Sequence, residues 1–213
     1  MDGIGKGTKY TEIRKLTDNP FLNLFEMDAL DNKGEPFHYY FASRNREEEL
    51  PLKTGEVRKN GIVIYALLKG DPSRIVMIRQ YRYPLDAWLY ELPAGLIDGQ
   101  ESPHQAAVRE MKEETGLSFE PCTDLDPAYE RPFFLGAGLT DETSTSVFGC
   151  ASGEVSRSYA ESTESIEVLF VNRQEAKEIL RTKRVSLRAA LLLTMFIKAE
   201  DEEPFGFLKS KTP

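Results

Sequence analysis

Residues Gly95 to Leu117 read GLIDGQESPHQAAVREMKEETGL, and this stretch decides how the rest of the chain is read. Its second half predicts a helix from Pro103 to Thr115. Ser102 is placed to cap it, Pro103 suits its first turn, and Gly116 suits its stop. Ala106, Ala107, Met111 and Leu117 give that helix a buried side. The opposite side is unusual. At about 100° per residue, Glu113 and Glu114 fall on either side of Glu110 and within roughly 60° of it. Three carboxylates therefore crowd one face near a helix C-terminus, where the dipole prefers cations and like charges repel. Such a face can be a plain solvated acidic surface, but oxygen ligands grouped this tightly also suit a hard divalent cation, Mg²⁺ or Mn²⁺.

Working outward, the segment before Gly95 carries strand-like runs at Ile62–Leu68, Arg74–Ile78 and Trp88–Leu92. After it, strands are predicted near Thr143–Cys150 and Ser165–Val171, then helices over Arg173–Leu180 and Leu187–Ala199. Strands mixed with a few helices, without regular alternation, predict an α+β class or a mixed αβα sandwich. The first 57 residues have a different rhythm: three short strand-like runs, around Lys9–Arg14, Leu22–Ala29 and Phe37–Ser43, separated by turn-rich pieces. They predict a small antiparallel N-terminal sheet. Residues 44–60, charged and containing Pro51 and Gly55, read as a linker. The expected division is thus 1–57 and 58–213.

Bulk composition excludes several classes of function. The chain has 213 residues, 40% of them hydrophobic and 29% charged, which is ordinary for a globular protein. A net charge of −8 argues against nucleic acid or an anionic membrane as the main partner. Two cysteines, Cys122 and Cys150, and two distant histidines, His38 and His104, do not make a disulfide scaffold or a zinc centre. The N-terminal residues lack the apolar core of a secretion signal, and no apolar run approaches bilayer length. A cytoplasmic location is expected.

Gly95, Glu101, Arg109, Glu110, Met111, Glu113, Glu114, Gly116 and Leu117 also fill every defined position of the Nudix box, Gly-x5-Glu-x7-Arg-Glu-U-x-Glu-Glu-x-Gly-U with U aliphatic. The chain resembles the Nudix hydrolases, and the resemblance implies a Nudix αβα sandwich and hydrolysis of a nucleoside diphosphate linked to another group. It implies Glu110, Glu113 and Glu114 as metal ligands, with the Ala94 carbonyl as a further one. Arg109 is implied as the residue that holds a box glutamate in place, with Glu101 in the same network. The flank IRQYRYPLDAWLYELPAGLID, Ile78 to Asp98, resembles the ADP-ribose and nucleotide-sugar pyrophosphatases. By that similarity Arg82 contacts the substrate diphosphate and Glu91 the nucleoside portion.

In this branch the N-terminal sheet swaps across a homodimer and supplies aromatic rings to the base pocket. Phe25, Tyr39, Tyr40 and Phe41 are the candidates here, with Arg44 as a polar contact. Gly136-Ala137-Gly138 stands where many ADP-ribose pyrophosphatases have Ser-Pro-Gly, while Thr140-Asp141-Glu142 keeps the polar trio, with Asp141 a substrate contact. The loop Ser158–Val168 is expected to supply the general base, Glu164 by alignment or its neighbour Glu161. The rival reading is a non-catalytic module that senses a nucleotide sugar. Such modules typically lose box glutamates and carry a DNA-binding appendage, whereas this chain keeps all four glutamates and has no basic helix-turn-helix.

Overall fold

The computed structural model describes residues 9–156, 158 and 165–208. It divides into two compact units, one made of residues 9–60 with Pro132–Ser144, the other of Gly61–Arg131 with residues 145–208.

The first unit is built on three antiparallel strands, β1 (Tyr10–Lys15), β2 (Asn23–Leu30) and β3 (Pro36–Ser43). Alternation gives the sheet two unlike faces. Arg14, Glu26, Asp28, His38 and Tyr40 share one face, where Arg14 binds Glu26 and Asp28 at 3.1 and 2.6 Å. Ile13, Phe25 and Phe41 lie on the other and form a small core with Leu50. The segment expected as a linker is more ordered than its composition suggests. Leu50 is wholly buried, and Pro51–Thr54 forms one turn of helix, α1, ended by Gly55 at φ 75°. One apolar anchor fixes a stretch that charge and proline alone would leave loose. Residues 132–144 join this unit through the Ala42 amide, which donates to the Leu139 carbonyl.

The second unit holds β4 (Gly61–Leu68), β5 (Asp71–Arg82), β6 (Ala87–Glu91), β7 (Ala94–Leu96), α2 (Pro103–Thr115) and β8 (Ser118–Pro121). After β9 (Phe133–Phe134), which pairs with Thr143 and Ser144 in the first unit, follow β10 (Thr143–Ser152), β11 (Ile166–Asn172), α3 (Arg173–Thr182) and α4 (Leu187–Lys198). The sheet order is β11-β5-β4-β10-β8, with β6 on β5 and β7 on β4. At the beginning of β4 and β10 Asn60 bonds Thr143, and beyond their far ends the Lys69 amide donates to Ala151, so these two run parallel. The other pairs are antiparallel, which makes the sheet mixed. The predicted α+β sandwich is what forms.

Both faces of this sheet are covered. Ile62, Ile64 and Val76 pack with Ala106, Ala107 and Met111 of α2. Val63, Tyr65, Ile75 and Met77 alternate with them and pack under α3 and α4 through Ala176, Ile179, Leu193 and Phe196. Such doubly buried strands read as continuous apolar runs, as Ile62–Leu67 does. Truncating wholly buried Met111 to alanine would cost about 2–5 kcal/mol.

Candidate active site

Helix α2 takes the bounds its sequence signals predict. The Ser102 hydroxyl accepts from the Gln105 amide, and the Gln105 side chain accepts from the Ser102 amide, closing a capping box. At the other end Gly116 adopts φ 79° and donates to the Lys112 carbonyl. Because Ala106, Ala107 and Met111 face the sheet, Arg109, Glu110 and Glu113 are carried along one rim of the helix.

Arg109 is the hub of that rim. Its Nη1 donates to Glu110 and to Glu113, both at 2.8 Å; Nε and Nη2 each bond Glu101 at 3.0 Å; Nη2 also reaches the Leu96 carbonyl at 2.9 Å. One guanidinium fork thus gathers three carboxylates and a strand carbonyl. The Arg109 contacts hold the Glu101 carboxyl below its usual range. Glu101, followed by the other carboxylates, raises the guanidinium's own value, so its charge is permanent.

The other half of the site is a run of five residues, Glu91 to Gly95, that touches three functional side chains in succession. Glu91, 5% exposed, accepts from Arg82 Nε at 2.6 Å, so its buried charge is paired. The Ala94 amide donates to the Glu114 carboxylate at 3.1 Å, and that carboxylate is 4% exposed. Gly95 makes room for Glu110: a Cβ there would stand 1.9 Å from Glu110 Oε1 and 2.0 Å from its Cδ. Pro93 precedes this pair, and its carbonyl accepts from Ile64 of β4, which pins the segment to the sheet. Ala94 thus meets the cluster through its amide. The role of Gly95 is new. Its sequence signal is the glycine itself, which marks a close approach of backbone to another group.

Among the described residues no three acidic, histidine or cysteine side chains stand in a metal-ligating arrangement. The carboxylates are turned onto Arg109 and the Ala94 amide instead. The donor chemistry nevertheless fits a hard divalent cation: carboxylate oxygens only, in formal excess over the one guanidinium that gathers them, with a side-chain-free cradle under Glu110.

The remaining predicted residues lie in the first unit and make their contacts there. Asp141 accepts from Ser43 Oγ at 2.8 Å and Asn45 Nδ2 at 2.9 Å. Arg44 pairs with Glu142 at 3.3 Å, and the Tyr40 hydroxyl donates to Glu26 at 2.8 Å on the charged face. Phe25 and Phe41, read from the sequence as possible ring platforms, stack on each other at 5.3 Å in the core, because strand alternation turns both inward. Tyr39, beside them, is 37% exposed and lines a cavity of about 430 Å³ with Met27, Phe37, Phe134, Ala137 and Asp141. Glu161 and Glu164 lie outside the described residues.

A mixed sheet between helix layers, with glutamates of one helix clasped against an adjoining strand, defines the class: an αβα domain carrying a carboxylate cluster at one rim. Residues 58–193 match the NUDIX domain family. An ADP-ribose pyrophosphatase of Bacillus subtilis is 30% identical over 145 residues, covering 65% of this chain and 75% of the relative. One from Mycobacterium tuberculosis is 30% identical over 155 residues, 68% of this chain and 71% of the relative. A Caenorhabditis elegans relative bearing the nudix hydrolase name is 38% identical over 127 residues, and the chain spans 55% of its length. The crystal structure of an ADP compounds hydrolase superposes with TM-score 0.64 at 16% identity, covering 87% of this chain and 89% of that one, a likeness of fold. The chain belongs to the Nudix family.

Proposed function

We propose that this chain hydrolyses the pyrophosphate bond of ADP-ribose or a related nucleoside diphosphate sugar in a magnesium-dependent reaction, releasing a nucleoside monophosphate and a sugar phosphate. The observation that carries the reading is the intact glutamate cluster of α2, held by Arg109 and backed by the Glu91–Gly95 segment. The relatives named ADP-ribose pyrophosphatase support the substrate class.

Glu110, Glu113 and Glu114, with the Ala94 carbonyl, would hold the cation, Mg²⁺ or Mn²⁺. When bound, the cation neutralises diphosphate charge and makes the attacking water more acidic. The protein's own groups do the rest. Among the described residues Glu91 holds Arg82 by Nε, and the two terminal nitrogens of the fork would receive phosphate oxygens. Arg109 keeps Glu110 and Glu113 in fixed rotamers and so positions them without touching substrate. Glu164 is our candidate general base. Strand β11 runs antiparallel to β5, and Ser165 accepts from the amide of Tyr81, next to Arg82, so the chain enters β11 at the end of β5 that carries Arg82.

In the first unit, the apolar cavity bearing Tyr39 suits a planar base, with Asp141 at its edge; Tyr40, bonded to Glu26 on the opposite face of the sheet, and Arg44, paired with Glu142, are not among its lining residues. A homodimer through the N-terminal sheet would cover the exposed Phe37, Tyr39, Phe134 and Leu139. Two free thiols suit a cytoplasmic location.

The direct test is release of phosphate from a nucleotide-sugar panel, coupled through a phosphatase and run with Mg²⁺. Glu110→Gln and Glu114→Gln should each remove most turnover while the fold survives. Absence of turnover on every compound of the panel would refute the reading.

A further inference from the structure

The second unit has a cleft that the carboxylate site does not use. It encloses about 990 Å³ between strand β6 and the segment leaving α3, with Trp88 and Tyr90 on one wall and Arg181, Lys183 and Arg184 on the other. Arg79 closes the floor, its guanidinium 4.7 Å from the centroid of the Trp88 ring and its Nη1 3.0 Å from Glu167. The walls are fixed by backbone bonds: the Tyr90 amide donates to the Arg184 carbonyl, and the Ser186 amide to the Tyr90 carbonyl.

The cleft lies on the sheet face away from α2. Arg79 follows Ile75 and Met77 in the β5 alternation, both of which pack under α3 and α4. Tyr90 pairs with Arg79 and Trp88 with Tyr81, so both rings point to that same side. Arg82 and Glu91 pair with the intervening positions and face the other way.

Its charge is the reverse of the molecule's. In a chain of net charge −8, four cations line the cleft against the one carboxylate of Asp86, which already accepts from the Tyr81 hydroxyl. Arg181, Lys183 and Arg184 have no carboxylate within ion-pair distance among the described residues. The last turn of α3 disfavours anions through its dipole, but Arg181 stands in that turn and offsets it. Three unpaired cations facing two aromatic rings, in a cleft of small-ligand size, are what a phosphate joined to a planar base requires.

We propose that this cleft is a second nucleotide site, separate from the hydrolytic centre, that holds a nucleoside monophosphate with its phosphoryl group on Arg181, Lys183 and Arg184 and its base against Trp88 and Tyr90. An occupant would brace β6, whose opposite face presents Glu91 to Arg82, so binding would be felt in the affinity for substrate.

Trp88 is the chain's one tryptophan and reports on the cleft directly. Its fluorescence should be followed in the full-length protein with chelator present, titrating adenosine monophosphate and, separately, inorganic phosphate. The expected result is a saturable change with the nucleotide, about tenfold weaker binding of phosphate alone, and weakening with added salt. The triple variant Arg181→Glu, Lys183→Glu, Arg184→Glu alters exposed residues and should keep the wild-type melting temperature while binding at least about tenfold less tightly. Glu110→Gln should leave the titration unchanged, which keeps this test independent of the hydrolysis reading. A flat titration to about 10 mM, equal affinity for phosphate and nucleotide, full binding by the triple variant, or loss of the signal in Glu110→Gln would each overturn the proposal.

Discussion

Replacing Gly95 with alanine separates a functional glycine from a structural one. The added methyl would stand 1.9 Å from Glu110 Oε1, and an ordinary contact begins near 3.4 Å, so the carboxylate must retreat by about 1.5 Å. The obstructing group is the end of a flexible side chain and not backbone, so the strand need not move. The 2.8 Å bond from Arg109 to Glu110 is lost, a charge-assisted contact of about 1.5–3 kcal/mol in isolation. Moving one carboxylate away from its like-charged neighbours returns part of that, leaving a net loss of about 1 kcal/mol, or a melting temperature lower by about 2–4 °C. Catalysis should suffer far more, since about 1 Å of misplacement costs about a hundredfold. The assay is kcat for ADP-ribose hydrolysis at saturating Mg²⁺ alongside a thermal melt. Near-wild-type turnover, or a fall of more than about 10 °C in melting temperature, would show that Gly95 does not serve to make room for Glu110.

The same substitution at Gly116 should do the opposite. There φ is 79° and the new methyl would lie 2.4 Å from the backbone nitrogen of Ser156, so stability should drop by about 2–3 kcal/mol, seen as a melt about 5–10 °C lower, while hydrolysis persists at low temperature. Glu101→Gln should destabilise the protein in a pH-dependent way. Arg109 depresses the Glu101 carboxyl, so its stabilisation is present above the unfolded value of about 4.3 and is lost as pH falls through the lower folded value. The gap in melting temperature between wild type and variant should be widest at neutral pH and close below about pH 4; a constant gap would count against the pairing. Burial pushes the Cys122 thiol up to about 11, so at pH 8 only about one molecule in a thousand carries the thiolate. Alkylation timed by mass spectrometry should label it slowly in the native protein and quickly in urea. Arg82→Lys keeps the charge but loses the fork, and should raise KM for the nucleotide sugar about tenfold or more with little change in melting temperature.

The parts of this molecule that could be read from sequence are those set by short-range physics. Helix α2 was delimited by Ser102, Pro103 and Gly116, and its carboxylate face followed from spacing alone. Strands β4 and β11 came within a residue of prediction because apolar runs of that length rarely do anything else. Strand β5 runs from Asp71 to Arg82, well beyond the expected Arg74–Ile78, because its later residues, Arg79-Gln80-Tyr81-Arg82, are mostly polar and are held in the strand by pairing with β6. Leu50 was hidden in a charged stretch, since one apolar residue has no periodicity. Residues 132–144 join the first unit through contacts nearly a hundred positions apart, such as Ser43 to Asp141, which no local pattern encodes. Within the site, the glutamates and their Arg109 partner were legible, but the backbone closing on them was not. That Gly95 yields space to Glu110, and that Ala94 offers its amide to Glu114, depends on how strand and helix close on each other.

Arg109 has a consequence for the order in which this protein is made. Because a permanent cation already gathers Glu101, Glu110 and Glu113, the chain can complete its fold before any ion arrives. A zinc finger, by contrast, draws its folding energy from the metal. On the proposed reading, an incoming ion would meet carboxylates already gathered by a guanidinium that never loses its proton. The scaffold would then need no ion to hold its shape, and an ion bound there could leave without unfolding it.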